Sequence, residues 1–235
     1  GMVWMVLGGV LFSVMNAISR RLSLQLDDQL VLFLRYLFGL LVILPWVARQ
    51  GWRSYKPVNM VGQFWRGGVH TLGCVLWFAA LPHMPLADTT AIGFTGPIFI
   101  MLGAAWFLGE PMRRDRWIAA FIGFAGVMVV VLPKMSGDGG WFNLVMLASS
   151  PVFAASFLIT KALTRYEKPG VIVLWQALTV TLLSAPMAWF HWQMPTPLQW
   201  LAFAATGVLG TVAHYCLTRA FALSDISATQ SLRFL

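Results

Sequence analysis

Arg35 stands alone as the charged side chain in an otherwise apolar run, residues 30–48. A guanidinium at mid-depth in a bilayer costs a few kcal/mol or more unless it is paired or hydrated. Its fork of donors can hold an anionic or carbonyl group of a small molecule. Alternatively the stem stays apolar while the head snorkels to the interface. His70 and His214 sit in similar runs and could bind substrate or shuttle protons near neutral pH; each could equally satisfy a backbone carbonyl between helices. Gln176 and Asn16 add amides, which bind ligands or join helices at about 0.6–2 kcal/mol each. Trp77 and Trp175 could stack on a planar substrate or simply pack. Glu110, beside Pro111, either neutralises Arg113 and Arg114 or takes part in gating. Gly93, Gly96 and Pro97 make a small-residue face with a kink, and Pro97 frees a carbonyl. Gly123 and Gly126, with Gly103, point to close helix contacts.

Other chemistries lack their residues. No Gly-x-Ser-x-Gly turn or His-Glu-x-x-His helix occurs, and the four histidines are scattered. Cys74 and Cys216 have no metal-ligand spacing and read as small packing residues. No enzyme, metal site or cofactor is therefore expected. Asp88, Glu110 and Asp225 lie near the ends of apolar runs, which argues against proton coupling through a buried carboxylate. Facilitated diffusion, exchange and histidine-mediated coupling stay open.

The elements that must carry these residues are membrane helices. Hydrophobic residues are 59% of the chain and charged residues 10%. No charge occurs in 1–19, 67–87, 89–109, 117–133, 139–160 or 169–218, and a bilayer core takes about 20 apolar residues as helix. The runs lack period-2 alternation, which excludes a transmembrane barrel. Helices are predicted at 2–19, 30–48, 66–81, 86–108, 116–132, 141–161, 171–190, 198–218 and from 226 onward. The first run has no basic leader and is not a signal peptide. The net charge of +8 is scattered over loops, so it reads as topology and not as nucleic-acid binding. Loops after spans 2, 4 and 6 hold nine basic residues, against three after spans 1, 3, 5 and 7. The positive-inside rule then puts the amino terminus in the cytoplasm of a multi-pass inner-membrane protein. Trp4, Trp46, Trp52, Trp65, Trp141, Trp192 and Trp200 near span ends suit an interfacial belt.

The chain repeats itself. At an offset of 140, Ala80 falls on Ala220, Leu86 on Ile226, Thr89 on Thr229 and Phe94 on Phe234; Gly67 falls on Gly207 and Thr71 on Thr211. At 141, Arg20 falls on Lys161, Arg35 on Gln176 and Pro45 on Pro186. The unit holds five spans, an odd number, so the copies cross the membrane in opposite senses. Repeats are predicted at 1–134 and 141–235, an all-α inverted repeat with ten spans expected and the second copy ending two residues short of a match to Pro97. Inverted repeats are a common basis of alternating access. A non-transporting assembly subunit and an intramembrane enzyme are the weaker alternatives. A homodimer is compatible with such a chain.

Assembled in order, Ala80-Leu81, Pro85-Leu86-Ala87, Gly96-Pro97-Ile98-Phe99, Leu108-Gly109-Glu110, Arg116-Trp117-Ile118 and Gly123-Phe124-Ala125-Gly126-Val127 resemble the EamA-type transporters of the drug/metabolite transporter superfamily. The resemblance implies a ten-helix inner-membrane carrier of small organic metabolites such as amino acids, nucleobases or vitamins. The Arg in the second span, with the wording of spans 3 and 4, is similar to bacterial riboflavin and other cofactor-uptake members. Substrate would bind near the midplane between the repeats.

Overall fold

The computed structural model describes residues 1–111, 114–131 and 140–230. Arg113, Lys134, the glycine turn at 137–139 and Phe234 lie outside the described residues, as does the side chain of Arg116.

All regular structure among the described residues is helical. The long helices are α1 (Met2–Ser23), α2 (Asp28–Gln50) and α3 (Met60–Ala80), then, after a broken fourth segment, α6 (Arg114–Val131), α7 (Gly140–Leu163), α8 (Pro169–Phe190) and α9 (Pro197–Leu223). The fourth segment comprises α4 (Leu86–Gly93), α5 (Gly96–Gly103) and a π-helical end, Ala104–Leu108; α10 (Ile226–Gln230) starts the ninth. Six of these spans are long and apolar enough to cross a membrane. The more polar α3 carries Gln63, Arg66 and His70, and α6 opens on three charged residues.

Boundaries agree with expectation to within a few residues, with two corrections. Helix α3 begins at Met60, not at 66, because the Asn59 side chain caps it by accepting from Gly62 N at 2.8 Å. Arg66 is therefore inside the helix. The fourth span does not simply kink at Pro97: it breaks at Phe94–Thr95 and restarts at Gly96. Pro97 sits in the first turn of α5, where its missing N–H costs nothing.

The packing has two-fold character. Helix α1 lies along α9 as α7 lies along α3, and α2 meets α9 as α8 meets α3, while α2 and α8 pack on each other. The crossings are matched residue by residue. A Cβ on Gly67 would meet the side chain of Thr179 at 2.5 Å; one on Gly207 would meet Phe38 Cβ at 2.6 Å. Gly67 and Gly207 are repeat equivalents, and so are Phe38 and Thr179 at the offset of 141. Gly103 abuts Leu158 of α7, but among the described residues a Cβ on Gly93, Gly96 or Gly126 meets nothing within 4 Å. Large apolar side chains such as Val6, Val10, Leu72, Phe107, Leu183 and Trp189 face outward, as a lipid-facing surface requires. Of the seven interfacial tryptophans, Trp46, Trp52, Trp65, Trp141 and Trp192 are exposed.

Two cationic clamps hold the bends where α3 passes to α4 and α9 to α10. Arg20 donates through Nε and Nη2 to the Met84 carbonyl at 3.0 and 2.8 Å. Lys161, its repeat equivalent, donates to the carbonyls of Phe221 and Ser224, both at 2.7 Å. Gly1 at the start of α1 abuts Ser224, while Arg20 is near the end of the same helix. The clamps therefore lie at opposite ends of the bundle, on the order of 30 Å apart along α1.

Candidate functional site

Helices α2, α3, α8 and α9 place their polar side chains toward one another at the centre of the bundle. Arg35, in α2, is 7% exposed. Its Nη2 donates to the Tyr36 hydroxyl at 2.8 Å, and its guanidinium carbon lies 4.6 Å from the Tyr36 ring centroid and 5.5 Å from that of Phe78. Arg35 is buried in the bundle rather than snorkelling. Tyr36 OH continues to His70 Nε2 at 2.7 Å, and His70 Nδ1 pairs with Ser156 Oγ of α7 at 3.1 Å. Arg35 can only donate to Tyr36. The nearest acceptor for the tyrosine's own proton is then His70 Nε2, since Cys74 Sγ is at 3.5 Å. Neutral His70 thus carries its proton on Nδ1, toward Ser156.

A second network starts from Arg66, 1% exposed. It donates Nε to Thr160 Oγ1, Nη1 to the Ile172 carbonyl at 3.3 Å, and Nη2 to Gln176 Oε1. Each bond crosses from α3 to α7 or α8. With Oε1 occupied as acceptor, the Gln176 Nε2 amide faces His214 Nε2 at 3.4 Å as donor. Neutral His214 then carries its proton on Nδ1, which is buried and has no partner among the described residues. The two histidine rings are edge-to-face, 5.3 Å apart.

A cavity opens between α2, α8 and α9, lined by Arg35, Tyr36, Gln176, Thr206, Thr211 and His214, with Gly39, Gly207 and Gly210 as its small-residue floor. It has room for one or two waters. Arg35 and Gln176, equivalent in the repeat, both line it, and so do Tyr36 and Ala177, the next equivalent pair.

The expected residues divide. Arg35, Gln176, His70 and His214 converge. Asn16, half-buried on α1, joins neither network. Trp175 is buried but ties its Nε1–H to the Tyr55 carbonyl at 2.9 Å and packs against Trp52 and Phe64, away from the cavity. Trp77 packs edge-on against Phe78, ring centres 4.9 Å apart, also outside the cavity lining. Gly109, at φ +68°, turns the chain, and Glu110 accepts from the backbone N–H groups of Ile226 and Ser227 at 2.8 and 3.0 Å and from Ser227 Oγ. It caps α10 from the end of the fourth span. Glu167 does the same for the start of α3, accepting from Val58 N and Asn59 N. Arg66, Tyr36, Ser156 and Thr160 were not anticipated. For Arg66 a signal existed: Pro57 matches Pro197 at the offset of 140, and Pro197 starts α9. Among the described residues no three His, Cys, Asp or Glu side chains group as a metal site.

Known proteins resemble this chain. The riboflavin transporter of Rhizobium johnstonii is 34% identical over 233 residues, covering 98% of this chain and 77% of that protein. The S-adenosylmethionine uptake transporter of Rickettsia bellii is 27% identical over 235 residues, covering all of this chain and 80% of its own length. A solved crystal structure 19% identical to this chain superposes with a TM-score of 0.79 over 99% of it and 83% of the other chain, which shows a shared fold. The model of the EamA-like transporter family matches residues 1–132 and again 140–234. The chain belongs to the EamA-like transporter family, an all-helical membrane fold whose members carry small metabolites.

Proposed function

We propose that this secondary carrier moves a planar, acceptor-rich metabolite of the riboflavin type across the inner membrane, with its amino terminus cytoplasmic, and that it is not an enzyme. The observation that carries the reading is the cavity between α2, α8 and α9, where Arg35 and Gln176, equivalent in the two repeats, face one space. A pyrimidine-dione edge presents carbonyl and ring-nitrogen acceptors in the plane of a guanidinium fork. The likeness to a riboflavin transporter supports the same class; the loop charges support the orientation. Repeats 1–134 and 141–235 rock against each other about the α2–α8 contact. The cavity must widen to admit a ring system, since its present room is that of one or two waters. The state described is thus a closed one, and loading proceeds from a state open at one end.

Flux into proteoliposomes tests this. Labelled riboflavin is expected to enter saturably and to be displaced by unlabelled riboflavin and ring analogues. Absence of flux for riboflavin, with flux for an unrelated metabolite in the same vesicles, would move the protein to another substrate class.

A further inference from the structure

The centre of this bundle holds two guanidinium charges and no carboxylate to balance them. Arg35 is met by a tyrosine hydroxyl and two aromatic faces. Arg66 is met by a threonine hydroxyl, a backbone carbonyl and a glutamine amide oxygen. Every one of these partners is neutral.

The chain has eight acidic residues, and none is within the interior of a span. Asp27 caps α2, Asp28 opens it, and Asp88 and Asp115 lie in the first turns of α4 and α6. Glu110 and Glu167 are spent on backbone N–H groups at helix starts. Asp225 lies between α9 and α10, and Asp138 is in the connection outside the described residues.

A buried cation without a counter-charge is among the most expensive arrangements in a low-dielectric interior, and in membrane proteins such groups are paired or line a pathway. Arg35 lines the cavity directly. Arg66 stands behind Gln176, which lines it too. A second and independent observation points the same way. His214 lines the cavity, is 6% exposed, and keeps Nδ1 without a partner among the described residues. The Gln176 contact makes Nε2 the acceptor, so the orphan atom is an N–H donor. Surplus positive charge and a surplus donor therefore stand around a cavity whose exposed walls are almost wholly apolar, and what the region lacks is an acceptor bearing negative charge.

We propose that the transported species is an organic anion, whose carboxylate or phosphate is held by Arg35 and the His214 Nδ1–H while Arg66 supplies the second balancing charge from behind Gln176. This rests on the carrier reading above and narrows its substrate class. A neutral ring satisfies the hydrogen bonds but leaves both charges unmet. A sulfonium or other net cation adds a third positive charge and is rejected.

The test uses the full chain in proteoliposomes in chloride-free buffer. Its probes are riboflavin, neutral at pH 7; flavin mononucleotide, the same ring bearing a phosphate; and indole-3-acetate, a carboxylate on a different ring. The expected result is half-saturation by flavin mononucleotide at a concentration about tenfold or more below that for riboflavin, a gap of roughly 1.4 kcal/mol. Arg35→Gln should narrow that gap by weakening the mononucleotide more than riboflavin. Riboflavin taken up as well as or better than the mononucleotide overturns the anion assignment and leaves the flavin reading intact. Uptake of indole-3-acetate but of neither flavin, with loss in Arg35→Gln, upholds the anion and overturns the flavin reading. Uptake of none of the three overturns both. Should Arg35→Gln fail to fold, the comparison of the two flavins on the unaltered protein still decides.

Discussion

Arg35→Ala is expected to lower transport by about tenfold or more, equivalent to roughly 1.4 kcal/mol, while changing the yield of folded protein by less than about twofold. Arg66→Ala is expected to lower both. The two arginines have similar burial but different ties. Arg35 has a single hydrogen-bond partner and faces the cavity, so its removal unmakes little of the fold. Arg66 joins α3 to α7 and α8 through three partners. Its removal strands the Gln176 amide oxygen and leaves a void of the kind that costs about 2–5 kcal/mol in large-to-alanine changes. Flux per folded molecule, with folded protein measured by size-exclusion chromatography, separates the two. Arg35→Ala losing folded protein in proportion to flux would assign it a structural role instead.

Gly207→Ala and Gly67→Ala should each destabilise the protein by about 1–3 kcal/mol, the usual cost of overpacking. These glycines occupy equivalent crossings and meet equivalent obstacles. The Cβ of residue 207 would lie 2.8 Å from the backbone carbon of Phe38 and 2.9 Å from Gly39 N, atoms that cannot step aside. The Cβ of residue 67 would lie 2.5 Å from Thr179 Cβ, which is fixed to the backbone of α8 and does not move when the side chain changes rotamer. Thermal denaturation of the purified variants checks both. A variant that keeps its melting temperature would show that its crossing yields by a shift of the whole helix.

Much of this could be seen in the chain before any coordinates. Charge-free runs located the helices, because bilayer-spanning segments tolerate little else. Arg35, Gln176, His70 and His214 stood out because each is a polar group in such a run. Arg66 escaped because it stands at the first position of the helix predicted at 66–81 and borders the charge-free run 67–87, as a residue at a span end would; the Asn59 cap, which extends the helix back before it, is a weak local signal. Tyr36 escaped because a tyrosine in an apolar span reads as packing, and its role as a bridge depends on α3 lying beside α2. Trp175 lies outside the cavity lining for a geometric reason. Val173, Gln176 and Ala177 share the cavity-facing side of α8, and a residue directly before Gln176 is turned about 100° away from it. Serines and threonines such as Ser156 and Thr160 are common in membrane helices, and only the three-dimensional neighbour singles out one from another.

The two cationic clamps have a consequence for leakage. Both are closed at once, one at each end of the bundle. A carrier that opens one door at a time needs one bolt to hold while the other is drawn. Arg20→Met should leave its end resting open more often, and Lys161→Met should do the same at the far end, each still without a through-path. The double variant has neither bolt. It is expected to pass small ions down their gradients, seen as loss of a membrane potential imposed on vesicles, where either single variant keeps it. A double variant that holds the potential would show that the ends are shut by helix packing alone.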